Sequence, residues 1–474
     1  MSNLKRLPVI QPNADDEHTI GEGSLGRDGK RRRPCPADVS GRFVRARRMV
    51  YALLIGVWAA LPWIPINGHP AVFLDIEKRQ FFLFGVTLNA QDVWLTFFLL
   101  SGIGFGLVYM TALLGRAWCG WACPQTVFLE AVFRPIERII QGPRNVALRR
   151  ETHGSSFDRA WRNSLMYAAY LIAAVLVAHI FLAYFVSFPR VFEMVRMNPG
   201  QHPEAFAWTT GATAVMFVNF AFFREQLCVV ICPYGRLQSV LLDDDSIVVG
   251  YDTKRGEPRA KGKTKSKDAG DCVDCNRCVV VCPTGIDIRE GLQLDCVACT
   301  ACIDACDEVM DKLERPRGLI RYDSLRGLRG EKRKMLRPRI YAYTVLLVIG
   351  AVVASFAVRR REPFEANIVR LAGMPYTRDG GTLRNSFELH IVNKSSRSAE
   401  VTVEPIDGSE LGFIIPLNTI QIEPLASRRI PVFVTMDHSR FTTDRPFEVR
   451  VRLKDSAGVV AERSAKATFL GARP

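Results

Sequence analysis

Long apolar segments alternate with basic segments over the first three quarters of the chain. Crossing a bilayer takes about 20 apolar residues, and five charge-free runs are close to that length or longer: Met49–Ile66, Val93–Leu114, Ser164–Phe188, Ala205–Phe223 and Ile340–Val358. Buried core helices of a large soluble protein rarely repeat such runs five times. The first 48 residues are polar, unlike a signal peptide. The pattern therefore predicts a membrane protein with about five transmembrane helices.

The pattern changes in residues 362–474, where apolar and polar residues alternate over short stretches. The clearest stretches are Phe387–Val392, Val401–Glu404, Ile430–Thr435 and Phe447–Leu453. Turn residues separate them, and about seven short strands in roughly 110 residues are typical of an immunoglobulin-like sandwich. The region contains no Cys and no catalytic constellation. We expect an all-β C-terminal domain with a binding or assembly role.

The excess of basic residues, Lys+Arg 63 against Asp+Glu 48, is a topology signal. Basic residues concentrate in 1–48, 115–163 and 224–339. The positive-inside rule places these segments in the cytoplasm. This predicts a multi-pass protein of the bacterial inner membrane, with a cytoplasmic N-terminus and a periplasmic C-terminal domain. Arg359–Arg361 oppose this orientation, but the basic flank before the last span is heavier.

The basic stretch Thr253–Lys267 raises the question of a polyanionic partner. We expect it to lie near anionic membrane lipid. Nucleic acid is excluded as a partner because binding would also need an element that reads bases, and the sequence contains none that we can identify.

Twelve of the 13 cysteines lie in four motifs, all in segments assigned to the cytoplasmic side. Two motifs are tight runs: Cys272, Cys275, Cys278 and Cys282, then Cys296, Cys299, Cys302 and Cys306. This spacing is typical of [4Fe–4S] ligands, and in two-cluster ferredoxins the fourth Cys of each run binds the other cluster. We predict one cluster on Cys272, Cys275, Cys278 and Cys306 and another on Cys296, Cys299, Cys302 and Cys282. Zinc sites prefer C-x2-C pairs separated by a longer loop.

The other two motifs repeat C-x3-C-P directly after predicted spans. They are Cys119 and Cys123 before Pro124, and Cys228 and Cys232 before Pro233. If each span continues as a helix, both Cys of a pair share one helix face, and the Pro ends the helix just beyond them. Two neighbouring spans then bring four thiolates together. Soft thiolates suit Cu(I), zinc or a further cluster, and packed, inert cysteines are the alternative.

Other residues bear on which cofactors the protein binds. Cys35 stands alone in the polar tail and is expected to be a free thiol. His179 is the only His within the predicted spans, which disfavours a membrane haem with paired axial ligands. No G-x-G-x-x-G follows a strand, so no dinucleotide-binding domain is evident. Asp307 stands where the second four-Cys run would carry Pro, a departure from the ferredoxin pattern.

The order of these features is distinctive: two C-x3-C-P motifs at span ends, twin four-Cys runs, a last span and a C-terminal sandwich. Over nearly the whole chain it resembles the FixG/CcoG family, the cytochrome c oxidase accessory proteins. The resemblance implies a cupric reductase that reduces Cu(II) to Cu(I) for assembly of the cbb-type oxidase. It also implies a copper carrier or oxidase subunits as partners, and it leaves the electron donor unidentified. On this hypothesis the copper is held by Cys119, Cys123, Cys228 and Cys232.

Two other functions stay open. The C-x3-C-P pairs are also similar to those of quinol dehydrogenase subunits of the NapH kind, which implies electron transfer from quinol to a partner. The third function is a non-enzymatic scaffold for oxidase assembly.

The predicted organisation has five parts. They are a basic tail (1–48), a four-helix membrane region with both C-x3-C-P motifs (49–241), a two-cluster ferredoxin-like α+β domain (242–330), a fifth transmembrane helix with basic flanks (331–361) and the sandwich (362–474).

Overall fold

The computed structural model describes residues 34–89, 92–197, 199–259, 269–360, 362–395, 397–406, 410–456, 458 and 460–472. The chain forms two compact units, Met1–Val352 and Val353–Pro474. Three features of the charge pattern lie outside the described residues: the basic run Lys30–Arg33, most of the stretch predicted to lie near lipid (260–267), and Arg361.

The helices of the described residues are, in chain order, α1 (Arg42–Ala60), α2 (Val93–Leu114), α3 (Ala117–Trp121), α4 (Pro124–Phe128), α5 (Arg134–Gln141), α6 (Arg144–His153), α7 (Ser156–Val186), α8 (Phe188–Arg196), α9 (Pro203–Val218), α10 (Pro233–Leu241), α11 (Thr253–Gly256), α12 (Arg277–Val280), α13 (Ala301–Lys312), α14 (Leu325–Leu328) and α15 (Pro338–Arg359). π-Helical segments adjoin them at Leu129–Phe133, Asn219–Phe223 and Leu227–Ile231. The strands of the first unit are β1 (Pro65–Ile66), β2 (His69–Pro70), β3 (Val72–Asp75), β4 (Gln80–Leu83), β5 (Val86–Leu88), β6 (Ile247–Tyr251) and β7 (Ile320–Ser324).

Among the described residues, four helical segments are long and apolar enough to cross a membrane: Trp94–Leu114, Ser156–Val186, Pro203–Phe223 and Pro338–Arg359. They correspond to four of the five predicted spans. Large apolar side chains on them, such as Phe97, Leu100 and Val352, are exposed, as lipid-facing residues must be, while the backbone groups are satisfied within each helix. The protein is therefore a membrane protein.

The predicted span Met49–Ile66 differs in the structure. Helix α1 begins earlier, at Arg42, and ends at Ala60. Pro62 and Pro65 cannot continue a helix, and the chain turns into β1 instead. Because the first half of α1 contains several Arg residues, this helix does not meet the length and composition of a membrane span. Antiparallel strands β3, β4 and β5, which the sequence did not predict, follow it.

Helix α1 connects distant parts of the first unit. At its start, the Asp304 carboxylate of α13 accepts hydrogen bonds from the backbone N–H groups of Phe43 (3.2 Å) and Val44 (2.7 Å). These N–H groups have no partner within the helix, so Asp304 caps α1 from another element. Near its end, the Trp58 carbonyl accepts a hydrogen bond from the Tyr184 hydroxyl, close to the end of α7. Helix α1 thus extends from the cysteine-rich segment to the far end of α7.

The cysteine-rich segment is framed by an antiparallel pair, β6 and β7, in which Ile247 lies opposite Ser324. Val249, Ile303, Met310 and Leu319 form part of its buried core. The preceding turn, 243–245, forms ion pairs with basic residues. Asp243 pairs with Arg337 (2.5 Å), and the largely buried Asp245 pairs with Arg326 (3.2 Å). Since Arg337 directly precedes α15, the Asp243–Arg337 pair holds the start of the last span against the cysteine-rich segment.

The second unit is a β-sandwich. Its strands are β8 (Phe364–Arg370), β9 (Thr377–Asp379), β10 (Thr382–Asn393), β11 (Ala399–Pro405), β12 (Gly412–Ile414), β13 (Thr419–Ile422), β14 (Ser427–Asp437), β15 (Arg445–Asp455) and β16 (Val460–Phe469). One sheet has the order β12-β14-β10-β8, with β9 also paired to β10, and the other has the order β13-β11-β15-β16. Alternate residues such as Leu389, Val432 and Val451 fill the core between the sheets. The expected immunoglobulin-like class is confirmed, although the described residues contain nine strands and about seven were predicted.

We predict that Asp304→Ala loosens the start of α1. The change leaves buried N–H groups of α1 without an acceptor, which costs about 2 kcal/mol. The measurements are the thermal midpoint of the detergent-solubilised protein and the rate of trypsin cleavage after Arg45, Arg47 or Arg48. Asp311→Ala is the control, because Asp311 lies on the same helix and makes only a partly exposed pair with Arg317. Equal effects of the two variants would contradict the capping role.

Candidate metal centre

The two four-Cys runs repeat one backbone conformation. In the first run, Asp274 and Asn276 have positive φ angles of 51° and 55°. In the second, Ala298 and Thr300 have φ angles of 51° and 64°. In each run, the residues with positive φ are the second and the fourth after the first Cys. Left-handed conformations are uncommon for residues other than Gly. Their recurrence at matched positions indicates that both runs curve around their contents in the same way.

Two separate cavities lie in this segment. The cysteines that line one of them are Cys272, Cys275, Cys278 and Cys306. The cysteines that line the other are Cys282, Cys296, Cys299 and Cys302, with Cys278 at the boundary between the two. The fourth Cys of each run thus lines the cavity of the other run, which is the grouping that the crossed ligand assignment predicts. The ligation itself stays a prediction. Below, the cavities are called the Cys272 cavity and the Cys296 cavity.

All of these thiols except the exposed Cys275 are buried or half-buried, in mainly apolar surroundings. Burial raises the pKa of Cys296 and of Cys306 to about 12. Without a metal the thiols of Cys296 and Cys306 are therefore neutral, and binding iron must displace their protons. Among the described residues, no group of three or more His, Cys, Asp or Glu side chains is arranged to hold a single metal ion. The cysteines instead surround volumes, which suits a cluster of several atoms.

Asp307, the departure from the ferredoxin pattern, has a structural role. Its carboxylate accepts a hydrogen bond from the Gly318 backbone N–H (2.9 Å) and lies 3.7 Å from the Arg42 guanidinium. Gly318 has a positive φ of 84° and leads into β7. A carboxylate at this position thus fixes the turn after α13, a task that Pro could not perform because it carries no acceptor on its side chain.

The C-x3-C-P motifs do not continue the span helices, so this part of the prediction is wrong. After α2, Gly115 has a positive φ of 57°, and after the segment that ends at Phe223, Arg224 has a φ of 51°. Each helix therefore breaks four residues before the first Cys of its pair. Cys123 and Cys232 adopt extended conformations and directly precede α4 and α10, whose first residues are Pro. Pro starts the next helix here, where its missing N–H is not needed.

Two glutamines join the two motifs reciprocally. Gln125, in the first motif, donates a hydrogen bond to the carbonyl of Arg224 (3.0 Å). Gln238, on α10 after the second motif, donates to the carbonyl of Gly115 (3.1 Å) and accepts from the Cys119 thiol (3.4 Å). Gln238 is completely buried. Each amide satisfies the carbonyl at the other motif's helix break, so the two turns are held together.

This arrangement places the four C-x3-C-P thiols near one another, although among the described residues no three of them are in a geometry that holds a single metal ion. Burial raises the pKa of Cys119 to about 11, and the neighbouring Cys123 and Cys232 raise it further. Burial likewise raises the pKa of Cys228 to about 12, with smaller contributions from Cys123, Cys119 and Cys232. The four thiols are thus electrostatic neighbours, and the raised pKa values of Cys119 and Cys228 mean that a bound cation favours loss of their protons.

The first C-x3-C-P motif packs directly on the loop of the Cys296 cavity. A methyl group added at Gly120 would lie 2.5 Å from the Ala298 carbonyl oxygen, closer than any side chain can approach. The Trp121 indole N–H donates to the Tyr322 hydroxyl (3.0 Å), which in turn donates to the Ala298 carbonyl (2.9 Å). Arg116 donates to the Cys296 carbonyl (2.9 Å). Backbone and aromatic groups in direct contact therefore separate the four C-x3-C-P thiols from the Cys296 cavity.

A buried chain of ion pairs surrounds this contact, and sequence reasoning missed it. Arg134 pairs with Glu225 (2.5 Å) and Glu130 (2.8 Å), and Glu130 also lies 3.8 Å from Arg47. Arg47 donates a hydrogen bond to the Cys299 carbonyl. Buried charges need partners, and here the partners come from segments far apart in sequence. The only signal available in the sequence was the presence of Arg and Glu next to apolar runs.

Cys35 lies apart from both sites. It lines a polar cavity with Arg138 and Arg162, and burial raises the pKa of its thiol. His179 lies on α7, and its Nδ1 is 2.8 Å from the Val175 carbonyl. Neither residue contacts the twelve cysteines of the four motifs in any interaction that the structure records.

The fold and its cavities define a class: a membrane-bound iron–sulfur protein that transfers electrons. The model of a "4Fe-4S dicluster domain" matches residues 223–325, and that of a "4Fe-4S binding domain" matches 95–143. A third, described as "IG-like fold at C-terminal of FixG", matches 354–472. The "Protein RdxA" of Cereibacter sphaeroides is 33% identical to the chain, over 92% of this chain and 97% of the relative. The chain belongs to the FixG/CcoG family.

Two further relatives have similar coverage. The "Protein RdxB" of Cereibacter sphaeroides is 34% identical over 81% of this chain and 83% of its own length. The "Nitrogen fixation protein FixG" of Rhizobium meliloti is 32% identical over 87% of this chain and 88% of its own length. The similarity therefore extends over the membrane region, the cysteine-rich segment and most of the sandwich.

Double substitutions test the crossed ligand sets. If Cys272 and Cys306 serve one cluster, the variant Cys272→Ser/Cys306→Ser keeps about four of about eight iron atoms per chain. The variant Cys272→Ser/Cys282→Ser damages both clusters and keeps almost none. Iron and sulfide analysis of anaerobically purified protein measures this difference. Uncrossed runs would give the opposite ranking of the two variants.

Proposed function

We propose that this protein is a cupric reductase of the bacterial inner membrane, with Cu(II) as substrate and Cu(I) as product. The carrying observation is the direct packing of the Cys119–Cys123 turn on the loop of the Cys296 cavity. Clusters held by the eight cysteines supply electrons one at a time, and each Cu(II) accepts one. The electron originates from a one-electron donor or a quinol.

The four C-x3-C-P thiols bind the copper. Thiolates are soft ligands that favour Cu(I) over Cu(II), so binding at Cys119, Cys123, Cys228 and Cys232 makes reduction more favourable. The raised pKa values of Cys119 and Cys228 mean that copper must displace protons as it binds. The buried Gln238 amide, which accepts from the Cys119 thiol, orients this sulfur.

In this proposal the Cys272 cavity receives the electron and the Cys296 cavity passes it to copper. Cys275, in the Cys272 cavity, is exposed, whereas Cys296 and Cys299 of the other cavity are buried beneath the first C-x3-C-P motif. We infer that the donor docks at the Cys275 side and that copper binds at the opposite, thiol side. A short path between the two sides follows, because Cys278 borders both cavities.

The orientation in the membrane follows from the charges. Lys and Arg flank the cysteine-rich segment, which supports a cytoplasmic location for it and a periplasmic location for the sandwich. The sandwich then offers a surface for a copper carrier or for subunits of a cbb-type oxidase, and the product Cu(I) supplies the oxidase assembly. Loss of assembly with intact reductase activity after removal of 362–474 would assign the sandwich a scaffolding role.

The decisive experiment adds Cu(II) to anaerobic protein whose clusters have been reduced and freed of excess reductant. We expect the cluster absorbance to return to the oxidised spectrum while a chromogenic Cu(I) chelator gains one equivalent per electron. In Cys119→Ser/Cys123→Ser, iron content stays and reoxidation by Cu(II) slows at least about tenfold. Cys35→Ser, which removes a thiol outside both sites, is the control. If wild-type clusters stay reduced after Cu(II) is added, the proposal fails.

Gly120→Ala tests the contact itself. Its methyl group must push the thiol turn away from the Ala298 carbonyl, and a displacement of about 1 Å can slow a reaction by one or two orders of magnitude. We expect normal iron content and a roughly tenfold slower reoxidation by Cu(II). Gly211→Ala is the matched control, because nothing lies within 4 Å of the added methyl group on α9. An unchanged rate in Gly120→Ala would show that this contact is not the electron path.

A different occupant of the thiol site has one observation in its favour. The "4Fe-4S binding domain" match at 95–143 includes Cys119 and Cys123. With a third cluster on the four thiols, the protein would contain about twelve iron atoms per chain in place of about eight. It would then act as an electron-transfer subunit, and quinol would reduce its clusters without any effect of copper. Combined iron, sulfide and copper analysis separates the two occupants.

A further inference from the structure

A second group of soft metal ligands lies away from the cysteines. A cavity opens between α7, α8 and the start of α9. Two His and two Met line it: His179 on α7, Met194 on α8, Met197 just after α8, and His202 just before α9. It is near the end of α7 where Tyr184 contacts Trp58, remote from the C-x3-C-P turns. None of these four side chains has a role in the reduction described above.

We propose that this cavity binds Cu(I). Thioether sulfur is a donor that selects Cu(I), and imidazole nitrogen also binds copper, whereas Mg²⁺ and Ca²⁺ need carboxylate or carbonyl oxygens. Among the described residues that line the cavity, none is acidic. A monovalent, soft cation is thus the ion that these donors suit. The identification of the ion as copper, among soft cations, rests on the proposed function.

The geometry of the donors supports a binding site. The Nδ1 of His179 lies 2.8 Å from the Val175 carbonyl. If Nδ1 donates this hydrogen bond, the tautomer leaves Nε2 free to bind a metal, the arrangement common in metal-binding His. Met194 lies in the last turn of α8 and Met197 directly follows the helix, and both side chains line the cavity. Their backbones are joined by a hydrogen bond from the Met197 N–H to the Met194 carbonyl (3.2 Å).

The surroundings also suit a weakly hydrated cation. Met194, His179 and His202 are half-buried, and Met197 is 45% exposed at the mouth. Val191, which is buried, and Phe206 add apolar walls. An ion that arrives through the mouth therefore exchanges water for thioether and imidazole ligands without meeting a fixed countercharge. This favours a site from which the ion can also be released.

The test uses the full chain with all four C-x3-C-P cysteines changed to Ser and its clusters intact. Cu(I), supplied anaerobically in competition with a chromogenic chelator, is expected to bind at about one ion per chain. Adding Met194→Leu/Met197→Leu, which conserves volume, should weaken binding at least about tenfold. Met216→Leu on α9, whose side chain packs elsewhere, is the control. X-ray absorption should show mixed sulfur and nitrogen ligation, with less nitrogen in His179→Gln.

Two results would overturn the site: a four-Ser protein that retains no Cu(I), because lipid or quinol fills the cavity, or Cu(I) retention that the Met pair does not affect. The proposed function fails independently. If wild-type protein does not reduce Cu(II) while the four-Ser protein binds Cu(I) through Met194 and Met197, the reductase is refuted and the site stands. The converse result refutes the site alone.

Discussion

The hydrogen bonds of Gln125 and Gln238 hold the functional part of the molecule together. Each amide reaches the carbonyl at which the other motif's helix breaks. Without them, two pairs of thiols would lie at the ends of two separate apolar segments. With them, the four thiols form one group, and the same group lies against the loop of the Cys296 cavity. A net hydrogen bond contributes only about 1 kcal/mol, but a buried amide left without its partner loses considerably more. The hydrogen bonds of Gln125 and Gln238 are therefore expected to form together or not at all.

Burial affects the thiols of the site and its charged side chains in different ways. It raises the pKa of thiols such as Cys119 and Cys228 and so favours their neutral form until a cation arrives. It also makes every unpaired charge costly, which is why the arginines and glutamates between the membrane helices and the cysteine-rich segment occur in pairs. Arg47 lies at the junction, since it contacts both Glu130 and the carbonyl of Cys299. Reduction of a cluster adds negative charge, and a buried guanidinium beside its loop lowers the cost of that charge.

Much of this could be predicted from sequence because cluster ligands are local. The spacing of Cys272–Cys282 and Cys296–Cys306 determines which sulfurs can share a cavity, and the apolar runs determine which segments are helical. The start of α1 could not be predicted. Arg45, Arg47 and Arg48 indicated a loop outside the membrane, whereas Asp304 of a distant helix caps this segment as helix. The glutamine pairs were also out of reach, because Gln125 and Arg224 are 99 residues apart and neither forms a recognisable pattern.

The two helix breaks are equivalent in geometry but differ in what maintains them. At Gly115 the backbone of β6 leaves no room for a side chain, since the Ile247 carbonyl oxygen would lie 1.9 Å from an added methyl group. At Arg224 a long side chain is accommodated in the same left-handed conformation and is held by Glu137 (3.1 Å). The turn before Cys119 and Cys123 is thus fixed by the lack of space for a side chain at Gly115, and the turn before Cys228 and Cys232 by the ion pair of Arg224. Loss of the Arg224–Glu137 ion pair would therefore loosen the Cys228–Cys232 half and leave the Cys119–Cys123 half in place.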